Sequence, residues 1–166
     1  MTRIEKFAEA IKIHEGWFVG SRSYRNNNPG NLKFVGQAHA KKETAGSFCV
    51  FDSYEHGWKA LINMITNAVN GKSTIYKPEM TVLQFFQKYA PSADSNNPEA
   101  YAAFVANRVG FSINSELEEL TINPEEPAQP ATQPAQPQSG RKVRVTLGDK
   151  ILFEGEIIES SITGKF

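Results

Sequence analysis

Ile4, Phe7, Ala8 and Ile11 recur at the i, i+3, i+4, i+7 spacing that lines one face of a helix. Thr2 stands where an N-cap belongs, and Gly16 where a helix stops. Glu15 therefore falls in the last turn or just beyond it. A loop from about Gly20 to Asn31 follows. From Leu32 to Phe51 the apolar pieces are short and broken by Gly36 and Gly46, and GSFCVF has the pattern of a strand, so a small hairpin or β-wing is expected. Ser53 then caps a strong helix whose stripe is Trp58, Leu61, Ile62, Ile65 and Val69, ended by Gly71. Thr81 and Gln84 form a capping-box pattern ahead of Leu83, Phe85, Phe86 and Tyr89. Asn97, with Pro98 at the first helical position, starts another helix through Tyr101, Phe104, Val105 and Val109, closed by Gly110. NSELEEL predicts a last short helix.

The pattern changes after Thr121. Residues 123–140, NPEEPAQPATQPAQPQSG, hold no large apolar residue and predict an extended, semi-stiff linker. Residues 141–166 alternate again, with Val143, Val145 and Leu147 before a Gly148-Asp149 turn and Ile151 and Phe153 after it, a β-hairpin signal. Such a tail is too small to fold alone. It is expected to pair with the body, with a copy of itself or with a partner's sheet edge. The organisation is thus a body at 1–122, a Pro/Ala/Gln-rich linker at 123–140 and a docking tail at 141–166. The fold class is α+β, mainly α.

Composition sharpens this picture in a few places. The 166 residues carry a formal net charge of zero, but residues 1–113 hold 13 Lys+Arg against 9 Asp+Glu. A mildly basic body suits an anionic polymer such as a cell wall. It falls short of the clustered basic stripe that nucleic acid requires, and none is expected as a partner. Cys49 is the single cysteine, which excludes an internal disulfide. Between Phe48, Val50 and Phe51 it is expected to pack rather than react. No apolar run approaches the roughly 20 residues of a membrane span. MTRIEKFAEAIKI lacks a signal-peptide core, so any action at a cell wall calls for delivery by a virion, a holin or a secretion machine.

The candidate chemistry centres on Glu15. The carbonyl end of a helix disfavours negative charge, as do flanking Trp17 and Phe18, so its ionised form should be disfavoured. A protonated carboxyl group near a leaving oxygen is what glycoside cleavage needs. Asn side chains both donate and accept hydrogen bonds and suit sugar hydroxyl and N-acetyl groups. Trp17, Tyr24 and Tyr101 offer flat faces. The plain alternatives are a solvated Glu15 at a helix end, and an Asn-rich loop serving only turn geometry and left-handed backbone. His14, His39 and His56 show no metal-ligand spacing, and neither a metal nor a cofactor is expected. There is no phosphate-loop or nucleophile-elbow pattern.

The order of motifs is more specific than any one of them. Arg25-Asn26-Asn27-Asn28-Pro29-Gly30-Asn31-Leu32, then Val50-Phe51-Asp52-Ser53 with Gly57, then Tyr89-Ala90-Pro91 with Asn97 and Tyr101, resembles a family of phage virion-associated and endolysin-like proteins with a lysozyme-like fold. These are often grouped with lytic transglycosylases. The likeness spans roughly Ile4 to Leu120. It implies a helical body and small β-wing with a cleft between them, Glu15 as catalytic acid, and Asn31 with the residues before it in the cleft wall. Tyr24, Asn27, Asn28, Asn31 and Tyr101 are the expected substrate-binding residues.

The spacing is also similar to that of bacterial glucosaminidases, in which a second acid can lie on the wing. Glu43 is the sole Asp or Glu between Glu15 and Asp52 and is the candidate for that role. A hydrolase that inverts needs a second carboxylate to activate water. A lytic transglycosylase does not, because the muramic acid's own C6 hydroxyl attacks. With one well-placed acid, the expected activity is peptidoglycan cleavage at the MurNAc–GlcNAc bond by a lytic transglycosylase or lysozyme-type mechanism. Glucosaminidase-type cleavage and a non-catalytic wall-binding or virion structural role are the alternatives.

Overall fold

The computed structural model describes residues 1–122, 141–147, 150–158 and 161–165. The expected linker at 123–140 and the turn at 148–149 lie outside the described residues. Chain contacts divide the protein into two compact units, Met1–Pro124 and Glu125–Phe166.

The first unit is mainly helical with a small antiparallel sheet. Helix α1 (Arg3–His14) begins at Thr2, whose side chain accepts from Glu5 N while Glu5 reaches back to Thr2 N, a reciprocal capping box. It buries Phe7, Ala8, Ala10 and Ile11. Gly16 follows at φ +70°, the left-handed turn that ends the helix. The expected loop contains a turn of helix, α2 (Arg22–Arg25), capped by Ser21. Four residues are too few to leave a periodic signal.

Strands β1 (Ala40–Lys42) and β2 (Cys49–Phe51) form the wing, paired Ala40 to Phe51 and Lys42 to Cys49. Helix α3 (Tyr54–Val69) starts at Ser53 and packs Leu61 and Ile65 inward. Helix α4 (Val82–Tyr89) has the Thr81–Gln84 capping box, and α5 (Pro98–Val109) runs from the Asn97 cap to Gly110 at φ +74°. NSELEEL becomes a 3₁₀ turn at Leu117–Thr121, tighter than the expected helix.

The core lies where α1, α3, α4 and α5 meet. Phe7 packs against Phe85 edge-on at 5.7 Å and against Phe86 at 5.8 Å, and Leu61, Val82, Val105 and Leu117 close around them. Burying one such side chain stabilises by about 1.5–3 kcal/mol, so this cluster holds the helix ends that carry the site. Cys49 is fully buried and its thiol is pushed up to about 11 by burial, which leaves it unreactive at neutral pH.

The second unit is a three-stranded antiparallel sheet: β3 (Arg141–Leu147), β4 (Lys150–Ile158) and β5 (Ser161–Lys165), in the order β3-β4-β5. The expected hairpin is its first two strands, with the register shifting between Val145 and Thr146. Strand β5 was not expected, because Ile162 is the only large apolar residue in SITGK and leaves no alternation to recognise. Three strands are also the minimum at which a sheet begins to stand by itself.

Candidate functional site

Glu15 is the C-cap residue of α1, with its N–H bonded to the Ile11 carbonyl at 2.9 Å. It is half-buried. Its carboxyl group is reached by a side chain 86 positions away. The Tyr101 hydroxyl, on α5, donates to Glu15 Oε1 at 2.8 Å. Burial raises the Glu15 pKa above the usual carboxylate range. The Tyr101 hydroxyl, and the Asn31 amide beside it, act in the opposite direction by favouring the ionised form. Of the two, Tyr101 makes the well-formed hydrogen bond. Tyr101 itself is almost fully buried, and its pKa is raised far out of reach by burial and by Tyr89 and Glu15 nearby, so it remains a donor at any working pH.

That arrangement corrects one expectation. Tyr101 is not a flat face for sugar: His14 stacks on it at 3.7 Å and Phe86 at 4.2 Å. Its ring is core, and its hydroxyl positions Glu15.

The amide loop is corrected more thoroughly. Asn28 is fully buried; its Nδ2 donates to the carbonyls of Leu32 (3.0 Å) and Cys49 (3.1 Å), and its Oδ1 accepts from Leu32 N (2.8 Å). No polar atom is left for substrate. Asn27 sits at φ +49° with Nδ2 bonded to Phe51 O at 3.1 Å, and Asn26 bonds Glu43 Oε1 at 3.1 Å. These side chains stitch the loop to β2 and the wing. They satisfy backbone groups that would otherwise be buried unmet. Gly57 on α3 completes the seat: a Cβ there would overlap the Asn27 carbonyl and come within 2.9 Å of Pro29 Cδ. The Tyr89 hydroxyl bonds the Gly30 carbonyl, anchoring the same loop to α4.

Asn31 differs from its neighbours. It is also left-handed, at φ +47°, but its Oδ1 is buried with no hydrogen-bond partner among the described residues. The Asn31 residue as a whole is half-buried, so it lies at the edge of the Glu15 neighbourhood rather than inside the core.

Glu43 belongs to the scaffold. Arg22 Nε donates to both of its oxygens at 3.1 Å, Arg22 Nη2 adds a third contact, and Asn26 a fourth. The Arg22 and Asn26 bonds hold its pKa below the usual carboxylate range. With its lone pairs engaged it is a weak base, which argues against its activating water.

Tyr24 is 41% exposed, and its ring lies 5.2 Å from Trp17. Trp17 is 5.1 Å from Tyr54, which stacks 6.3 Å from Trp58. This aromatic row begins two residues past Glu15. Tyr54, the first residue of α3, continues the apolar stripe one turn before Trp58 and was not singled out by the sequence pattern; Trp58 is half-buried rather than enclosed.

Two groupings lie outside this cluster. A recess of about 450 Å³, lined by Val69, Asn70, Glu118, Glu119, Thr121 and Ile122, takes in none of the residues around Glu15. At the wing, His39, Asp52 and His56 come together, although their spacing along the chain carried no metal signature. No helix among the described residues is long and apolar enough to cross a membrane. The chain matches no protein-family model, no curated protein and no solved structure.

Proposed function

We propose that the protein is a peptidoglycan glycosidase of the lytic transglycosylase or lysozyme type, with Glu15 as its general acid and then base. The observation that carries this reading is the state of Glu15: half-buried, with a raised pKa, and gripped by a hydroxyl that cannot ionise. A surface glutamate has none of these features. The motif order from Arg25 to Tyr101, similar to that of lysozyme-like phage proteins, supplies the substrate class.

In the proposed reaction the Glu15 carboxyl group donates its proton to the glycosidic oxygen as the C1–O bond breaks. The MurNAc C6 hydroxyl attacks C1 and gives its proton to the Glu15 carboxylate, which restores the acid and leaves a 1,6-anhydro end. If water attacks instead, the product has a reducing end. The Tyr101 hydrogen bond steadies the carboxylate between these two proton transfers. The half-buried Asn31 borders the sugar site, and Tyr24, Trp17 and Tyr54 give apolar ring faces for the sugar. A lysozyme-like body with a cleft between helices and wing is part of the same proposal.

The second compact unit favours a companion reading, in which residues 141–166 dock the enzyme on a virion or secretion-machinery partner. The test of the main reading is a zymogram on purified cell wall, wild type beside Glu15→Gln, with muropeptides analysed by mass spectrometry. Clearing that vanishes in the variant supports the acid, and anhydro ends identify intramolecular attack. A fully active variant overturns the assignment.

A further inference from the structure

The wing brings together three groups with metal-binding chemistry. His39 and Asp52 flank the end of the β1–β2 ladder, just beyond the Ala40–Phe51 pair, and Asp52 N bonds the His39 carbonyl at 3.0 Å. His56 is in the first turn of α3, locked there by its N–H to Ser53 Oγ at 3.3 Å. The two imidazole rings lie parallel, 3.9 Å apart with 7° between their planes. His39 Nδ1 is 3.7 Å from Asp52 Oδ2, and one donor atom from each of the three residues falls within 4.8 Å of the others. His56 Nδ1 is buried with no partner among the described residues.

We infer that His39, Asp52 and His56 form a binding site for a divalent first-row transition metal ion of the zinc class. A tetrahedral ion with metal–ligand bonds of about 2.0–2.1 Å holds its donors roughly 3.3–3.4 Å apart. The donors here lie up to 4.8 Å apart and the two rings are stacked parallel, so binding requires donor shifts of up to about 1.5 Å and a rotation of the exposed His39 ring that turns its in-plane lone pair toward the ion. Two imidazoles and one carboxylate suit zinc, nickel or copper(II); calcium and magnesium prefer all-oxygen shells. Asp52 also supplies the negative charge that offsets the positive end of the α3 dipole. Because the three ligands come from β1's flank, β2's end and α3, an ion here clamps the wing to the helix carrying Gly57. Three protein ligands leave a fourth position for water. The site stands independently of the Glu15 assignment.

The test uses the full chain, stripped with a chelator and titrated with Zn²⁺ by calorimetry, then with Co²⁺ while visible d–d absorption is followed. His39→Asn keeps a residue that tolerates the left-handed φ of +58°, and His56→Gln and Asp52→Asn keep polarity. Circular dichroism without metal checks that each variant folds. The expected result is saturable one-to-one binding by wild type, at least about tenfold weaker in each variant. Calcium and magnesium should give no comparable heat, and a saturating zinc concentration should raise the melting temperature of wild type by several degrees. Absence of saturation up to about 1 mM Zn²⁺, or undiminished binding in the His39→Asn/His56→Gln double variant, overturns the site. Binding without any rise in melting temperature overturns the clamp.

Discussion

Removing one oxygen atom separates the role of Tyr101 from its packing. In Tyr101→Phe the ring stays between His14 and Phe86, so the core is preserved, but the 2.8 Å hydrogen bond to Glu15 Oε1 is lost. A hydrogen bond to a charged group is worth about 1.5–3 kcal/mol net, and one between neutral groups about 0.5–1.5 kcal/mol. The loss therefore falls harder on the ionised carboxylate than on the acid, and the Glu15 pKa, already raised by burial, moves further up. Two readouts follow. In carboxyl-labelled protein followed by NMR, Glu15 should titrate at higher pH in the variant than in wild type. In wall-clearing assays the alkaline limb of the pH–rate profile should move the same way, with a lower maximum because the carboxylate formed between the proton transfers loses its partner. The variant's loss of stability should also be larger above the Glu15 pKa than below it. A Glu15 titration that stays put or moves down would refute this account of the pair.

Three further outcomes test the scaffold around the acid. Gly57→Ala should be destabilised by about 3 kcal/mol or more in denaturant melts, since the added methyl meets backbone rather than a movable side chain. Asn28→Ala should cost about 2–4 kcal/mol in the same assay, because it leaves the Cys49 carbonyl and the Leu32 N–H unmet in a dry interior, while the Leu32 carbonyl keeps the Cys49 N–H. Retained stability would mean that the loop can repack. Glu43→Gln should keep most wall-cleaving activity, since Arg22 and Asn26 already occupy that carboxylate; loss of activity with an intact fold would restore it as a second acid.

Much of the helical frame was legible because its signals are local. Thr2, Ser53, the Thr81–Gln84 box, Asn97-Pro98 and Gly110 each act within four residues of where they stand, and each caps the helix expected of it. Glu15 at a helix end, with Gly16 turning left-handed after it, was legible for the same reason. What stayed hidden depends on partners far along the chain. Nothing near Asn28 says that its amide will be spent on Leu32 and Cys49 rather than on a ligand. Tyr101 has the spacing of a core residue, and only the meeting of α1 with α5 brings its hydroxyl to an acid 86 positions away. His39 and His56 belong to different elements, and they meet only because the wing's register sets His39 beside Asp52 and the first turn of α3 follows directly after it.

The most direct measurement on the central claim compares Glu15→Gln with wild type in two ways at once, wall cleavage and melting temperature across pH. The folded-state pKa of Glu15 lies above its ordinary value of 4.5, so the neutral form's contribution to stability is complete below that value and is lost as pH rises through the folded pKa. Above that point wild type carries a half-buried charge and the amide variant does not. The variant should then release no muropeptides while melting higher than wild type at neutral pH, with the gap closing as the pH falls toward 4.5. Undiminished cleavage, or a variant that melts no higher than wild type at neutral pH, would contradict a glutamate held there as a proton donor.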